Sequence, residues 1–175
     1  MAARLGQYQR TGVLPVGELR SLGQVPGIKR LRQGPVVVVE CIERIPCNPC
    51  AYACPRNAIT IEGELTDLPR VDFDKCNGCR LCIARCPGLA IFVVDYSYSR
   101  THATVTMPYE MLPRPSKGQR VAGLDRAGKR VCTARVVRVL DTKAMDRCAA
   151  VTVAVPRRYW NTVRSIRMPK EGGRT

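Results

Sequence analysis

One cysteine phrase occurs twice in this 175-residue chain, and no other feature restricts its fold so tightly. The second copy reads Cys76-Asn-Gly-Cys79-Arg-Leu-Cys82-Ile-Ala-Arg-Cys86-Pro87. The first reads Cys47-Asn-Pro-Cys50-Ala-Tyr-Ala-Cys54-Pro55, and its leading cysteine, Cys41, sits three residues further upstream than in the second copy. A similar phrase follows each proline, Arg56-Asn57-Ala58-Ile59 and Gly88-Leu89-Ala90-Ile91. Cys54 and Cys86 are 32 residues apart, so the middle of the chain is an internal repeat with about that period.

The spacing x2, x2, x3 and proline is that of bacterial iron–sulfur sites. A cubane takes four thiolates at its corners. Three come from a tight loop whose x2 spacings let successive sulfurs converge, and the fourth cysteine of each run reaches the other cluster. One [4Fe–4S] cluster is therefore expected on Cys41, Cys47, Cys50 and Cys86, and a second on Cys76, Cys79, Cys82 and Cys54. The five-residue gap between Cys41 and Cys47 departs from the pattern, and Ile45-Pro46 within it suits a wider loop that still delivers Cys41. Pro55 and Pro87 aim the chain away from the clusters. Gly78 lets backbone approach the second cluster without an intervening Cβ. Ile42, Ile45, Ile59, Leu81, Ile83 and Ile91 are the expected dry shell. Zinc would need only pairs of Cys-x-x-Cys knuckles, so the repeated x3-Cys-Pro favours iron–sulfur.

Residues 36–96 resemble the bacterial dicluster ferredoxins, which carry two [4Fe–4S] clusters. The resemblance implies an α+β, ferredoxin-like core of two pseudo-symmetric halves, each a short β-hairpin and a helix. Residues 36–40 read as the first strand. Residues 55–59 should start a helical turn that feeds a strand over 59–61. Residues 71–73 lead into the second run, and 91–94 close the sheet. Glu62-Gly63-Glu64 is a hairpin-turn candidate.

Charge separates the chain into three parts. Residues 1–35 carry a net +5, residues 36–99 a net −2 and residues 100–175 a net +12. The expected organisation is an N-terminal arm (1–35), the dicluster domain (36–99) and a basic, β-rich C-terminal unit (100–175). Gly and Pro punctuate the arm too often for a long helix, although 16–22 can form a turn or two. Leu14, Leu19, Leu22, Val25 and Ile28 suggest that the arm packs on a surface. In the C-terminal unit, 119–122 reads as a strand, 123–128 as a turn and 129–140 as a long β-branched strand. Residues 151–155 alternate as a half-buried strand, and Tyr159, Val163 and Ile166 are spaced for a final helix. This pattern loosely resembles a small SH3-like barrel. Cys132 and Cys148 lack x2 partners and read as buried free thiols. His102 reads as a surface or linker residue rather than a ligand, and Trp160 with Arg157-Arg158-Tyr159 as a stacking surface or an amphipathic face.

The longest apolar run, residues 89–94, is far too short to span a bilayer. Residues 1–8 do not read as a secretory signal, and ten cysteines then suit metal binding in the cytoplasm. Neither a dinucleotide fingerprint nor a P-loop occurs. The chain thus reads as an electron carrier without a catalytic site of its own. The runs Thr11-Gly-Val-Leu-Pro15 and 34–50 are similar to ferredoxin-like subunits of FAD-dependent amino-acid or opine-type dehydrogenases. That resemblance implies a hetero-oligomer in which FAD sits in a flavoprotein partner, with the arm and the basic unit as docking surfaces. The alternatives are a free soluble ferredoxin and a nucleic-acid-binding protein with structural clusters. Tyr109, Tyr159 and Trp160 are the sole aromatics of the basic unit, too few for a strong nucleic-acid signature.

Overall fold

The computed structural model describes residues 6–145 and 147–169. The arm is broken by glycines, as its composition requires. Helices α1 (Gly6–Thr11), α2 (Val16–Ser21) and α3 (Ile28–Leu31) are each followed by a glycine at positive φ, Gly12, Gly23 and Gly34. The arm is packed: Leu19 is fully buried, and Leu14 and Leu31 nearly so. Ile28 is exposed, contrary to its expected place in that face, because α3 turns Leu31 inwards instead.

The dicluster segment contributes β1 (Val36–Val39), α4 (Pro49–Tyr52), β2 (Ile59–Thr60), β3 (Arg70–Val71), α5 (Leu81–Arg85) and β4 (Ile91–Asp95). Strand β1 is four valines buried on both faces. It pairs antiparallel with β4, while β2 and β3 form a separate two-stranded ladder closed by a wide loop that includes Gly63. Residues 55–59 do not form the expected helical turn. Asn57 sits at φ 50°, and a single hydrogen bond from its N–H to the Cys54 carbonyl turns the chain straight into β2.

The C-terminal unit adds β5 (His102–Tyr109), β6 (Arg120–Leu124), β7 (Arg130–Leu140), β8 (Ala149–Pro156) and β9 (Ser165–Arg167). The main sheet runs β1-β4-β5-β8-β7-β6-β9. It is continuous across residues 99 and 100, because β4 pairs with β5. His102 is therefore exposed at the surface, as the first residue of a strand rather than part of a linker. Residues 123 and 124, expected in a turn, extend β6, and the turn closes at 125–128, where Asp125 Oδ1 accepts N–H bonds from Ala127 and Lys129.

Two expectations fail here. The final helix over 159–166 is a 3-10 turn, Arg157–Tyr159, followed by β9. Ile166 is drawn into the sheet opposite Gly123, and Val163 is buried against the same glycine, where a Cβ would meet it at 3.1 Å. The barrel does not close, since β1 and β9 are both edges. The edges nonetheless approach. Glu40, just after β1, receives Arg126 Nε at 2.9 Å and Nη2 at 2.5 Å from just after β6, and Arg164 Nε at 2.6 Å from just before β9. A buried charge clasp joins the ends of the sheet where a closed barrel would have a ladder of backbone hydrogen bonds.

One face of the sheet holds the larger core, including Val38, Val94, Val105, Val136 and Val153. The other carries Val37, Val39, Ile91 and Val93, covered by α5 and Ile59. Among the described residues no helix is long and apolar enough to cross a membrane.

Candidate metal centres

The eight cysteines of the two runs stand around two cavities. One is lined by Cys41, Cys47, Cys50 and Cys86 with Val39, Ile45, Ile61 and Ile91. The other is lined by Cys54, Cys76, Cys79 and Cys82 with Val37, Ile59 and Val93. Each cavity thus receives three cysteines from one run and the fourth from the other. Cys50 lies in α4 and Cys82 in α5, and these two short helices pack against each other between the cavities.

The local backbone repeats with the sequence. Asn57 and Leu89, 32 residues apart, both adopt left-handed conformations at φ 50° and 51°. In each copy this turn brings an N–H back to a sulfur: Ala58 N–H to Cys54 Sγ at 3.2 Å, and Ala90 N–H to Cys86 Sγ at 3.4 Å. Cys76 Sγ accepts two more, from Val37 and Gly78. Leu89 holds its unfavourable φ because the loop, not the residue type, sets the geometry.

Burial pushes the Cys82 thiol up to about 12, with Cys79, Cys76 and Cys54 adding to the rise. Burial likewise pushes Cys50 up to about 11, with Cys86 adding more than Cys41 and Cys47. Thiols crowded in apolar cavities cannot all ionise alone; a cation must take the place of their protons. The sulfurs line the walls of cavities, an arrangement that suits a multi-iron cluster.

Several residues of these sites carry no sequence signal. Arg30 of the arm donates to the carbonyls of Phe73 at 2.7 Å, Gly34 at 3.2 Å, Pro35 at 3.1 Å and Cys76 at 2.5 Å. Gln24, 2% exposed, donates to the Cys41 carbonyl at 2.7 Å. The arm therefore grips the leading cysteine of each run. A lone Gln and a lone Arg in a glycine-rich stretch have no spacing by which to be found.

Gly78 lines the second cavity, but its strictest constraint lies elsewhere. At φ 67° a Cβ would come within 2.6 Å of the Pro35 side chain. Of the expected dry shell, Ile59, Ile83 and Ile91 are buried, whereas Ile45 is 53% and Leu81 48% exposed. Ile45 still lines the first cavity; Leu81 lies on the solvent side of α5. Cys148 is buried away from both cavities, and half-buried Cys132 packs on Gly123. Trp160 meets Tyr96 edge-on at 6.1 Å, with the Arg157 guanidinium over the same tyrosine at 4.3 Å, so this cluster is engaged within the fold.

Two four-cysteine cavities on a duplicated loop–helix frame are the arrangement that a ferredoxin-type iron–sulfur domain needs. Residues 40–90 match the family described as "4Fe-4S dicluster domain". The chain is 40% identical over 63 residues to the ferredoxin-type protein NapF of Haemophilus influenzae, covering 34% of this chain and 36% of that protein. It is 29% identical over 102 residues to the Escherichia coli protein named as an oxidoreductase, UacF, covering 57% of this chain and 13% of that one. A third relative, named as an iron–sulfur subunit of dimethyl sulfoxide reductase in Halobacterium salinarum, is 44% identical over 39 residues, 22% of this chain and 14% of the relative. The chain therefore spans about a third of NapF and far less of the other two. No solved structure matches. These similarities support an iron–sulfur electron-transfer role for the domain.

Proposed function

We propose that this chain is an electron-transfer subunit that relays electrons through two [4Fe–4S] clusters within a flavin-dependent dehydrogenase complex acting on an amino acid or related amine. The observation that carries the relay is the pair of adjoining four-thiol cavities. Cys41, Cys47, Cys50 and Cys86 would hold one cluster, and Cys54, Cys76, Cys79 and Cys82 the other. When bound, the clusters supply one-electron redox chemistry at neighbouring positions. The chain's own residues exclude water with Val37, Val39, Ile59 and Ile91 and donate N–H groups to sulfur from Ala58 and Ala90. Gln24 and Arg30 fix the loops that carry Cys41 and Cys76.

Membership of a larger enzyme is supported by relatives that carry oxidoreductase and reductase-subunit names. The flavoprotein partner, with FAD in that subunit, rests on the resemblance in residues 11–15 and 34–50. The same reading makes the protein cytoplasmic and part of a hetero-oligomer.

The test is anaerobic purification from the native host in moderate salt, with mass spectrometry of co-purifying chains and assay of extracted flavin and iron. A stoichiometric flavoprotein and about eight irons per chain are expected for two cubanes. A lone protein with eight irons would refute the complex, and a protein whose native form holds zinc would refute the relay itself.

A further inference from the structure

The face of the sheet that carries Val93 and is covered by α5 continues across β5, β8, β7 and β6, where it bears arginines that nothing above explains. Strand register places them in two adjoining rows. In one, Thr104 of β5 lies opposite Ala154 of β8, which lies opposite Arg135 of β7, which lies opposite Arg120 of β6. In the next, Thr106 lies opposite Thr152, and Thr152 opposite Arg138. The Thr106 and Thr152 hydroxyls are 2.9 Å apart, and Arg80 Nε reaches the same Thr106 Oγ1 at 3.3 Å. Arg80, Arg138, Arg135 and Arg120 therefore share one face over a floor of small side chains. The last three are exposed, and among the described residues none of the four is in an ion pair. Asp95 lies near Arg80, but its Oδ1 is occupied by the Ser97 N–H and hydroxyl.

Like charges gathered on a sheet face without counter-charges repel one another, so the arrangement costs stability unless something negative completes it. The strip also has a direction. Arg80 adjoins Cys79, the one exposed thiol of the eight, and both line the second cavity. At the other end, Arg120 and Arg135 border an open cleft.

We propose that this arginine strip is the docking surface for a protein that presents carboxylates, and that it seats that partner against the exposed Cys79 corner of the second cavity. Guanidinium groups suit this partner because their planar forks pair bidentately with carboxylates. A nucleic acid would satisfy the charge equally, but would have no use for a strip that ends at a redox thiol. The inference rests on the electron-transfer reading for the kind of partner, and on strand register and charge for the surface.

The probe is a strongly acidic flavodoxin, titrated anaerobically into the iron-loaded full chain by calorimetry. Wild type is expected to bind and to weaken at least about tenfold between about 20 and 200 mM salt, as an electrostatic contact must. R120E/R135E/R138E should lose about tenfold or more at low salt. R20E/K29E/R32E, an equal change of net charge on exposed arm residues, should stay within about twofold of wild type. Unchanged iron content and cluster EPR signals in both variants would show that folding is intact. Equal losses in the two variants, an unaffected strip variant, or no binding by wild type would each overturn the proposal. So would strip-dependent binding of a DNA duplex in place of the flavodoxin. Dithionite reduction of wild type separates the two readings: clusters that cannot be reduced would end the electron-transfer reading, whatever the strip binds.

Discussion

Replacing Glu40 by Gln tests the clasp that joins the two edges of the sheet. The Glu40 carboxylate and the Arg126 and Arg164 guanidiniums are 9%, 11% and 4% exposed at the side chain. Burial alone would raise the Glu40 carboxyl, but Arg164 and Arg126 outweigh it and hold it below its usual 4.5. Burial, opposed by Glu40, brings Arg164 down to about 10. Glutamine keeps the shape and loses the charge. Two guanidiniums then remain buried, sharing Asn161 Oδ1 and a few backbone carbonyls. Removing one partner from a buried ion pair costs about 3–5 kcal/mol, and the short contacts here place Glu40→Gln in that range at neutral pH. Urea unfolding of the iron-loaded protein under anaerobic conditions measures it. The sign of the pH dependence follows from the lowered carboxyl. The clasp's contribution is complete above about pH 4.5 and is lost as pH falls through the lower folded value. The gap between wild type and variant must therefore narrow in acid. A loss below about 1 kcal/mol at pH 7, the scale of an exposed pair, would refute the clasp, as would a gap that widened in acid.

Three further outcomes are expected. Cys82→Ala should damage the second cluster and spare the first, so that iron falls by about half; unchanged iron and an unchanged two-cluster EPR signal would sink the crossed assignment. Leu19→Ala should cost about 2–5 kcal/mol in the same unfolding assay, because the side chain is fully buried; a negligible loss would mean that the arm is not part of the folded unit. Gly78→Ala should cost more than about 1 kcal/mol and release iron from the second site first, through its positive φ and the approach of Pro35; wild-type iron affinity in that variant would contradict the close contact.

The metal-binding frame was legible because cluster chemistry writes itself into spacing. Cys-x-x-Cys-x-x-x-Cys-Pro is local, and the repeat alone points to Cys54 and Cys86 each lining the cavity of the other run. The long strand over 130–140 and the alternation at 151–155 were equally local. The misreadings concern tertiary context. Tyr159, Val163 and Ile166 have helical spacing, but edge pairing with Gly123 and the pull of Glu40 on Arg164 take the segment into a turn and a strand. The sheet's continuity from β4 into β5 was hidden by the change of charge at residue 100, which belongs to the surface and says nothing of the core. Gln24, Arg30 and Glu40 act at sequence distances of 17, 46 and 124 residues, where no periodicity reports them.

The grip of the arm on Cys41 and Cys76 binds two equilibria together. If docking Gln24 and Arg30 favours the loop geometry that receives a cluster, then cluster insertion must favour arm docking by the same free energy. Iron would thus act as a ligand for residues 16–31, which hold Cys41 and Cys76 through their backbone carbonyls rather than through their sulfurs. Protease susceptibility of the arm becomes a gauge of loading, with the apo chain cut there and the loaded chain protected. A partner that recognised the docked arm could tell a charged carrier from an empty one without touching a cluster.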